Sequence, residues 1–226
     1  MKARKILVSL AALALVAAIS IGGTIAYLTS NDEVVNTFTV GNVAIKLDEA
    51  DVNTSGDLLY KQADGTLGTT KTNEIADRVK ANDYHLLPGH TYTKDPTVTV
   101  LAGSETSYIK MTVTFSKANE LDAIFDPGAT MTSIFNGYDA ENWTYKGNTK
   151  DAAANTRTYE FWYKETVSTT KDSATVLDAL FDSITVPGTI TKEQLATIQG
   201  MTITVNAYAI QADGFNTPEA AWKEFK

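Results

Sequence analysis

Two histidines, His85 and His90, are the side chains whose type and spacing best suit metal chemistry in this sequence. They flank the run Leu-Leu-Pro-Gly, whereas a zinc-protease helix places two histidines one turn apart with a glutamate between them. The pair can meet across a turn, but the spacing marks no acidic third ligand. We therefore predict no catalytic metal and no cofactor, and His85 and His90 are the candidate ligands if a metal binds.

Carboxylates offer a second candidate chemistry. Asp48, Glu49 and Asp51 cluster at the start of a stretch rich in Gly, Ser, Thr and Asp that continues to about Thr72. The cluster lacks the ligand spacing and the turn glycine of an EF-hand calcium loop, which favours a solvated acidic loop. Glycosidase carboxylates can lie far apart in a chain, so that chemistry stays open. No nucleophile elbow or phosphate-binding glycine loop is visible, and we predict a protein that is not an enzyme.

Composition narrows the function classes further. The chain has no cysteine, which excludes disulfides, thiolate metal sites and cysteine nucleophiles. Its net charge is -8, from 19 basic and 27 acidic residues, and three of the basic residues lie at the extreme N-terminus. Such a surface repels nucleic acid and anionic lipid, so neither is a predicted partner.

The first residues have the organisation of an export signal. Three basic side chains precede an uncharged run over residues 6–28, which is typical of a secretory signal peptide. The run is also long enough to span a bilayer, which takes about 20 residues, so an uncleaved anchor is the alternative. Two glycines break the helix just before Thr24 and Ala26, the small residues that a signal peptidase reads. We predict a signal-peptide helix over 1–26, cleaved between Ala26 and Tyr27.

The elements that would position any site are mostly strands. Period-two alternation is clearest over residues 109–115 and again over 201–210, which predicts half-buried antiparallel strands. Further strands are predicted over 97–101, 142–145, 157–167 and 183–186, the middle two forming a hairpin. Short helices are predicted over 71–82, after a Ser116 cap, from a Thr191–Gln194 capping box and from a Thr217 cap.

Many short strands between Gly and Pro turns, with helices only as inserts, predict an all-β fold: a single antiparallel β-sandwich over 27–226. Within it, the apolar phase is even-numbered at Phe38 and Val40 but odd-numbered from Val43 onward. A slip of this kind needs a bulge or a kink, and the Gly41-Asn42 pair suits one. Residues 27–42 are therefore a candidate detachable strand.

Three stretches carry a family resemblance. The first is Gly-Gly-Thr-Ile-Ala-Tyr-Leu-Thr over 22–29 with Asn-Thr-Phe-Thr-Val-Gly over 36–41. The second is Leu-Pro-Gly over 87–89 with Lys-Asp-Pro over 94–96. The third is Asn-Ala-Tyr-Ala-Ile-Gln-Ala-Asp-Gly-Phe over 206–215. In order and spread, these stretches resemble the TasA/camelysin family, whose members are exported through a dedicated SipW-type signal peptidase of Gram-positive bacteria.

The resemblance implies a jelly-roll-like sandwich, secreted into the extracellular matrix or onto the cell surface. It implies self-association into biofilm fibres, in which the N-terminal segment of one subunit inserts as a strand into the next. Here the inserted side chains would be Val35, Phe38 and Val40. Signal peptidase would be a partner during export, and the membrane would be contacted only through the uncleaved leader.

Two alternatives remain at this stage. Camelysin is described as a metalloprotease, which makes a secreted metalloendopeptidase the second hypothesis, although this sequence shows no matching ligand set. The third is a monomeric surface or spore-coat protein that uses the same sandwich.

Overall fold

Short strands dominate the fold because apolar and polar side chains alternate along so much of the chain. The structure is a computed structural model and describes residues 41–125 and 134–225. Its strands are β1 (Ile45–Asp48), β2 (Tyr60–Lys61), β3 (Leu67–Gly68), β4 (Thr91–Thr93), β5 (Thr97–Val100), β6 (Ser107–Ser116), β7 (Phe135–Asn136), β8 (Trp143–Asp151), β9 (Thr156–Tyr163), β10 (Thr175–Val176), β11 (Ser183–Thr185) and β12 (Ile203–Gln211). Its short helices are α1 (Ala118–Asp122), α2 (Lys192–Thr197) and α3 (Pro218–Glu224).

The strands pair antiparallel throughout the described residues. The largest sheet has the order β12-β6-β9-β8, and two three-stranded sheets have the orders β1-β5-β10 and β4-β11-β7. A small fourth sheet joins β2 to β3. The all-β, antiparallel prediction is therefore confirmed, and the layout is consistent with a sandwich.

The central strand β6 shows how the sequence pattern becomes packing. Its burial alternates strictly from Ser107 to Ser116, with Ile109, Met111 and Val113 fully buried. β12 and β9 pair on either side of it, and its inward side chains join those of β5, such as Val98 and Val100, in one core.

The predicted hairpin is present but longer than expected. β8 and β9 extend their pairing as far as Asp151 and Thr156, so the connecting loop is shorter than the one predicted over 146–155. A register shift lies between Tyr145 and Gly147, where Gly147 has φ 125. With this bulge, the ladder between β8 and β9 continues into the polar stretch over 146–155 that was predicted to be a loop.

The predicted helix over 71–82 is wrong. The segment makes its backbone hydrogen bonds with residues that are distant in sequence. Val79 and Glu49 exchange backbone bonds of 2.8 and 2.9 Å, and the amide of Ala76 donates to the carbonyl of Leu59. Extended pairing with residues 17 and 30 positions earlier outweighs a helical pattern that rested on two apolar side chains.

The short helices otherwise begin close to the predicted residues. Thr191 and Gln194 form a reciprocal capping box on α2, and Thr217 caps α3 with Pro218 at its first position, both as predicted. α1 begins one residue later than expected, because Lys117 is its N-cap and adopts φ 57 without a side-chain cap.

Several N-terminal predictions lie outside the described residues: the signal peptide over 1–26, its cleavage residues Thr24, Ala26 and Tyr27, and the donor side chains Val35, Phe38 and Val40. Among the helices that the structure describes, none is long and apolar enough to cross a membrane.

Phe135 is the centre of the aromatic core and gives the first prediction. Its ring lies 4.5 Å from that of Phe181 and 5.5 Å from that of Tyr159, and only 1% of Phe135 is exposed. We expect Phe135→Ala to lower the free energy of unfolding by about 3–5 kcal/mol in a denaturant titration, because it leaves a cavity. Val176→Ala is the control: Val176 is 67% exposed, and the change should stay within about 0.5 kcal/mol. Equal effects would contradict this assignment of the core.

Candidate functional site

Two acidic side chains at the end of β1 organise the candidate site, and the prediction of a solvated loop is wrong for them. Asp48 and Glu49 are each only 5% exposed. Asp48 accepts from the ammonium of Lys46 at 2.6 Å and from Nε of Arg78 at 2.6 Å. Glu49 accepts from the ammonium of Lys94 at 2.5 Å. The charge pairs with Arg78 and Lys94, which lie 30 and 45 positions further along the chain, offset the cost of burying the two carboxylates.

Arg78 ties three segments together. Its Nη1 donates to the carboxylate of Asp95 at 2.8 Å. Its Nη2 donates to the Asp95 carbonyl and to the hydroxyl of Thr97, both at 2.8 Å. With its Nε bond to Asp48, the planar guanidinium uses the fork geometry that lysine lacks. The segment around residue 78 is thus fixed to β1 and to the start of β5.

Asn82 extends this network to the next residues of the same segment. Its Nδ2 donates to Oε1 of Glu49 at 3.0 Å and to the carbonyl of Ala50 at 2.9 Å. Its Oδ1 accepts from the backbone amide of Val52 at 3.1 Å. The amide nitrogen thus faces two acceptors and the amide oxygen faces a donor, and this arrangement fixes the orientation of the Asn82 amide.

The network also shifts proton affinities. Burial by itself would raise the pKa of Asp48, but the hydrogen bonds and charges of Lys46 and Arg78 outweigh it, and the net pKa is lowered. Burial, followed by the nearby charge of Glu49, raises the pKa of the Tyr84 phenol far above its usual value. Asp48 is therefore held ionised and Tyr84 neutral at physiological pH.

A groove of about 1250 Å³ lies beside this network. One wall is β1 together with residues 80–86, and the other is the stretch from Ile198 into β12. The groove is large enough for an extended peptide segment and not only for a small ligand.

Apolar side chains that pack against the core also line the groove. Ile45 and Leu47 of β1, with Ile203 and Val205 of β12, pack against the core yet remain only half-buried. A smaller cavity of about 40 Å³, lined almost entirely by apolar side chains, shares Ile203 with the groove. Half-buried core positions in facing strands indicate a layer that another apolar element can complete.

The strands that flank the groove are both sheet edges. In the part of the chain that the structure describes, β1 pairs only with β5 and β12 pairs only with β6. β1 and β12 come close to each other but share no ladder. Within the described residues, each therefore has one row of backbone amide and carbonyl groups without a ladder partner, which is a template for adding a strand.

The two histidines are not brought together with an acid. His85 is exposed, and its backbone carbonyl accepts from the Tyr92 hydroxyl at 2.6 Å. Nε2 of His90 lies 2.6 Å from the carbonyl oxygen of Ser55, and its ring packs 4.8 Å from that of Tyr92. Over 41–125 and 134–225, no group of three or more His, Cys, Asp or Glu could hold a metal ion.

Sequence reasoning missed the residues that shape the site: Arg78, Asn82, Lys94 and the groove side chains of β12. One signal was available. Past residue 26 the chain contains only two arginines among many acids, so each arginine can be expected to hold carboxylates. The partners themselves could not be read from spacing.

We expect the bonds between Arg78 and Asp48 to stabilise the fold at neutral pH and to lose this effect in acid. Asp48 has a lowered folded pKa, so its contribution to stability is present above its unfolded pKa of about 3.9 and is lost as the pH falls through the folded value. Arg78→Gln should lower the free energy of unfolding by about 1–3 kcal/mol at pH 7. That difference should shrink below about pH 4, as measured by urea titration across pH.

Lys61→Gln is the matched control. The Lys61 ammonium also lies 2.9 Å from a carboxylate, that of Asp77, but the Asp77 side chain is 89% exposed. Such a surface pair contributes less than about 1 kcal/mol. An Arg78 effect that does not change with pH would contradict the role given to Asp48.

Comparison of the chain with protein-family models, with characterised proteins and with solved structures finds no significant match in any of the three.

Proposed function

We propose that this chain is a secreted structural subunit of a Gram-positive extracellular matrix, which polymerises by donor-strand insertion. The N-terminal segment of one copy, with Val35, Phe38 and Val40, would enter the groove that β1 and β12 of the next copy line, and would pair with the edge of one of these strands. The observation that carries the proposal is that groove: β1 and β12, each paired on one side only within the described residues, both line it together with half-buried core side chains. On this proposal, the sandwich is jelly-roll-like and the inserted strand completes it.

The chemistry of donor and acceptor is complementary. In an extended strand Phe38 and Val40 point to the same face, so both can contact the apolar side chains that line the groove, such as Leu47 and Val205. The small apolar cavity beside Ile203 offers a place for one large side chain. Main-chain hydrogen bonds to one of the two edges would supply affinity, and the side-chain pockets would fix the register.

The pairing of residues 42–44 is compatible with donation of the preceding segment to another copy. The carbonyls of Asn42 and Ala44 accept from the amides of Glu105 and Leu101 at 2.9 and 2.8 Å. This pairing continues that of β1 with β5 and holds the chain in its own sheet up to this point. A strand that begins before Gly41 can thus be offered to a neighbour while β1 stays in place, and the head-to-tail contact propagates because it does not close.

Charge also supports this occupant. Exposed Lys80 and Lys192 lie along the groove, and the donor segment carries Asp32 and Glu33. Opposite charges at the ends of an inserted strand would favour one orientation. Cleavage after Ala26 would release this segment from the membrane, so export and activation of the donor strand would be one step.

Deletion of residues 32–40 tests the donor. We expect the deleted protein to be secreted and folded but to remain monomeric in sedimentation and free of fibres in electron microscopy, because it has a groove and no strand to fill one. Fibres formed by this deleted protein would show that the donor-strand mechanism is wrong.

Val205→Lys tests the acceptor. A charged side chain at this position in the groove should block insertion, so that the variant can donate its own strand but cannot accept another. Asn206→Lys is its control, because Asn206 is the next residue on β12, is exposed and points to the opposite face; this variant should still form fibres. Circular dichroism and thermal unfolding establish that each variant is folded.

Mixing the two defective proteins separates strand exchange from other contacts. The Val205→Lys protein can donate and the 32–40 deletion can accept, so together they should form heterodimers and nothing longer. Fibres in the mixture, or no complex at all from two folded proteins, would contradict the assigned roles.

A further inference from the structure

Two side chains, an amine and an amide, meet on the buried carboxylate of Glu49. Oε2 of Glu49 accepts from Nζ of Lys94 at 2.5 Å, and Oε1 of Glu49 accepts from Nδ2 of Asn82 at 3.0 Å. The Lys94 and Glu49 side chains are each only 7% exposed. An amine, an amide and a carboxylate that touches both are the components of an amide-exchange reaction.

The amide of Asn82 is also polarised for attack. Its carbonyl oxygen accepts from the backbone N–H of Val52 at 3.1 Å, a fixed donor aimed at the atom where negative charge would develop. Its nitrogen, the leaving group, lies on the carboxylate oxygen that could deliver a proton. Asn82 is half-buried, so a small product can leave towards solvent.

We propose that Lys94 and Asn82 form an intramolecular isopeptide bond, with Glu49 as the catalytic acid and base. Glu49 takes a proton from the Lys94 ammonium, a transfer that burial favours because a neutral pair is less costly to desolvate than an ion pair. The free amine Nζ then attacks Cγ of Asn82, forming the Nζ–Cγ bond. The Val52 amide stabilises the oxyanion of the tetrahedral intermediate.

The intermediate collapses by breaking the Cγ–Nδ2 bond. Glu49 gives its proton to Nδ2, which departs as ammonia, and the carboxylate then takes the surplus proton from Nζ. The products are one secondary amide, one ammonia and a protonated Glu49, so atoms and charge balance and no oxidant or metal is needed. Proximity within a folded core replaces an external catalyst.

The bond would fasten the groove wall. Asn82 belongs to the segment 80–86 that lines the groove, whereas Lys94 lies in the connection between β4 and β5. A covalent link between them keeps that wall in place whether or not a strand is inserted. The inference is independent of fibre formation, and either can fail without the other.

Trypsin digestion of the wild-type protein tests the bond directly, at the peptide level, so that processing of the N-terminus does not matter. Lys94 acylated on Nζ is no longer cleaved, and the sequence has no other lysine or arginine between Lys80 and Lys110. We expect the peptide 81–110, lighter than its sequence mass by one ammonia, with fragment ions missing inside the ring from 82 to 94. A folded wild-type protein that releases 81–94 at its full mass, even after prolonged incubation, overturns the proposal.

Three variants test the assigned roles. Lys94→Arg and Glu49→Gln should yield full-mass peptides, since one removes the nucleophile and the other the proton carrier. Asn82→Asp should still cross-link but lose water instead of ammonia. Asn142→Ala is the control, because Asn142 donates to Asp139 and Asp178 without a lysine among those contacts; its 81–110 peptide should keep the ammonia loss. Ammonia loss from Glu49→Gln at the wild-type rate would contradict the role of Glu49.

Discussion

Burial of two adjacent carboxylates, Asp48 and Glu49, is the constraint on which this structure depends. An ionised carboxyl group cannot leave water without a partner, and the partners come from segments 30 and 45 positions further along the chain. Arg78 and Lys94 therefore have to reach back to the end of β1. These contacts fix the path of the chain between β1 and β5, including the residues 80–86 that line the groove.

The same constraint places polar side chains at one end of the groove. Asp48 and Glu49 stand at the end of β1, whereas the half-buried Ile45 and Leu47 lie further back along the strand. Open edges are normally a hazard, because they can pair with any extended chain. Here the β1 edge carries Lys46, which is half-exposed and paired with Asp48; a charged residue on an edge limits the segments that can add to it.

Local patterns could be predicted from the sequence, and long-range partners could not. The alternation in β6 and β12, the Thr191–Gln194 capping box and the Pro218 start of α3 depend on neighbours a few residues apart, and all were correct. The helix over 71–82 and the prediction that Asp48 and Glu49 are solvated were wrong because both depend on what lies opposite in the fold. The groove was out of reach for the same reason: its walls, β1 and β12, come from opposite ends of the domain.

The two proposals meet in the mechanics of a fibre. If strands are exchanged, tension enters each subunit through the residues that precede β1 and leaves through the strand held in the groove. Both routes load β1, whose far end is held by the Glu49–Lys94 and Asp48–Arg78 pairs. Under load, water can replace either partner of an ion pair, whereas an amide bond between residues 82 and 94 stays intact. A covalent link would therefore be most useful at the groove wall, where the structure already gathers an amine, an amide and a carboxylate.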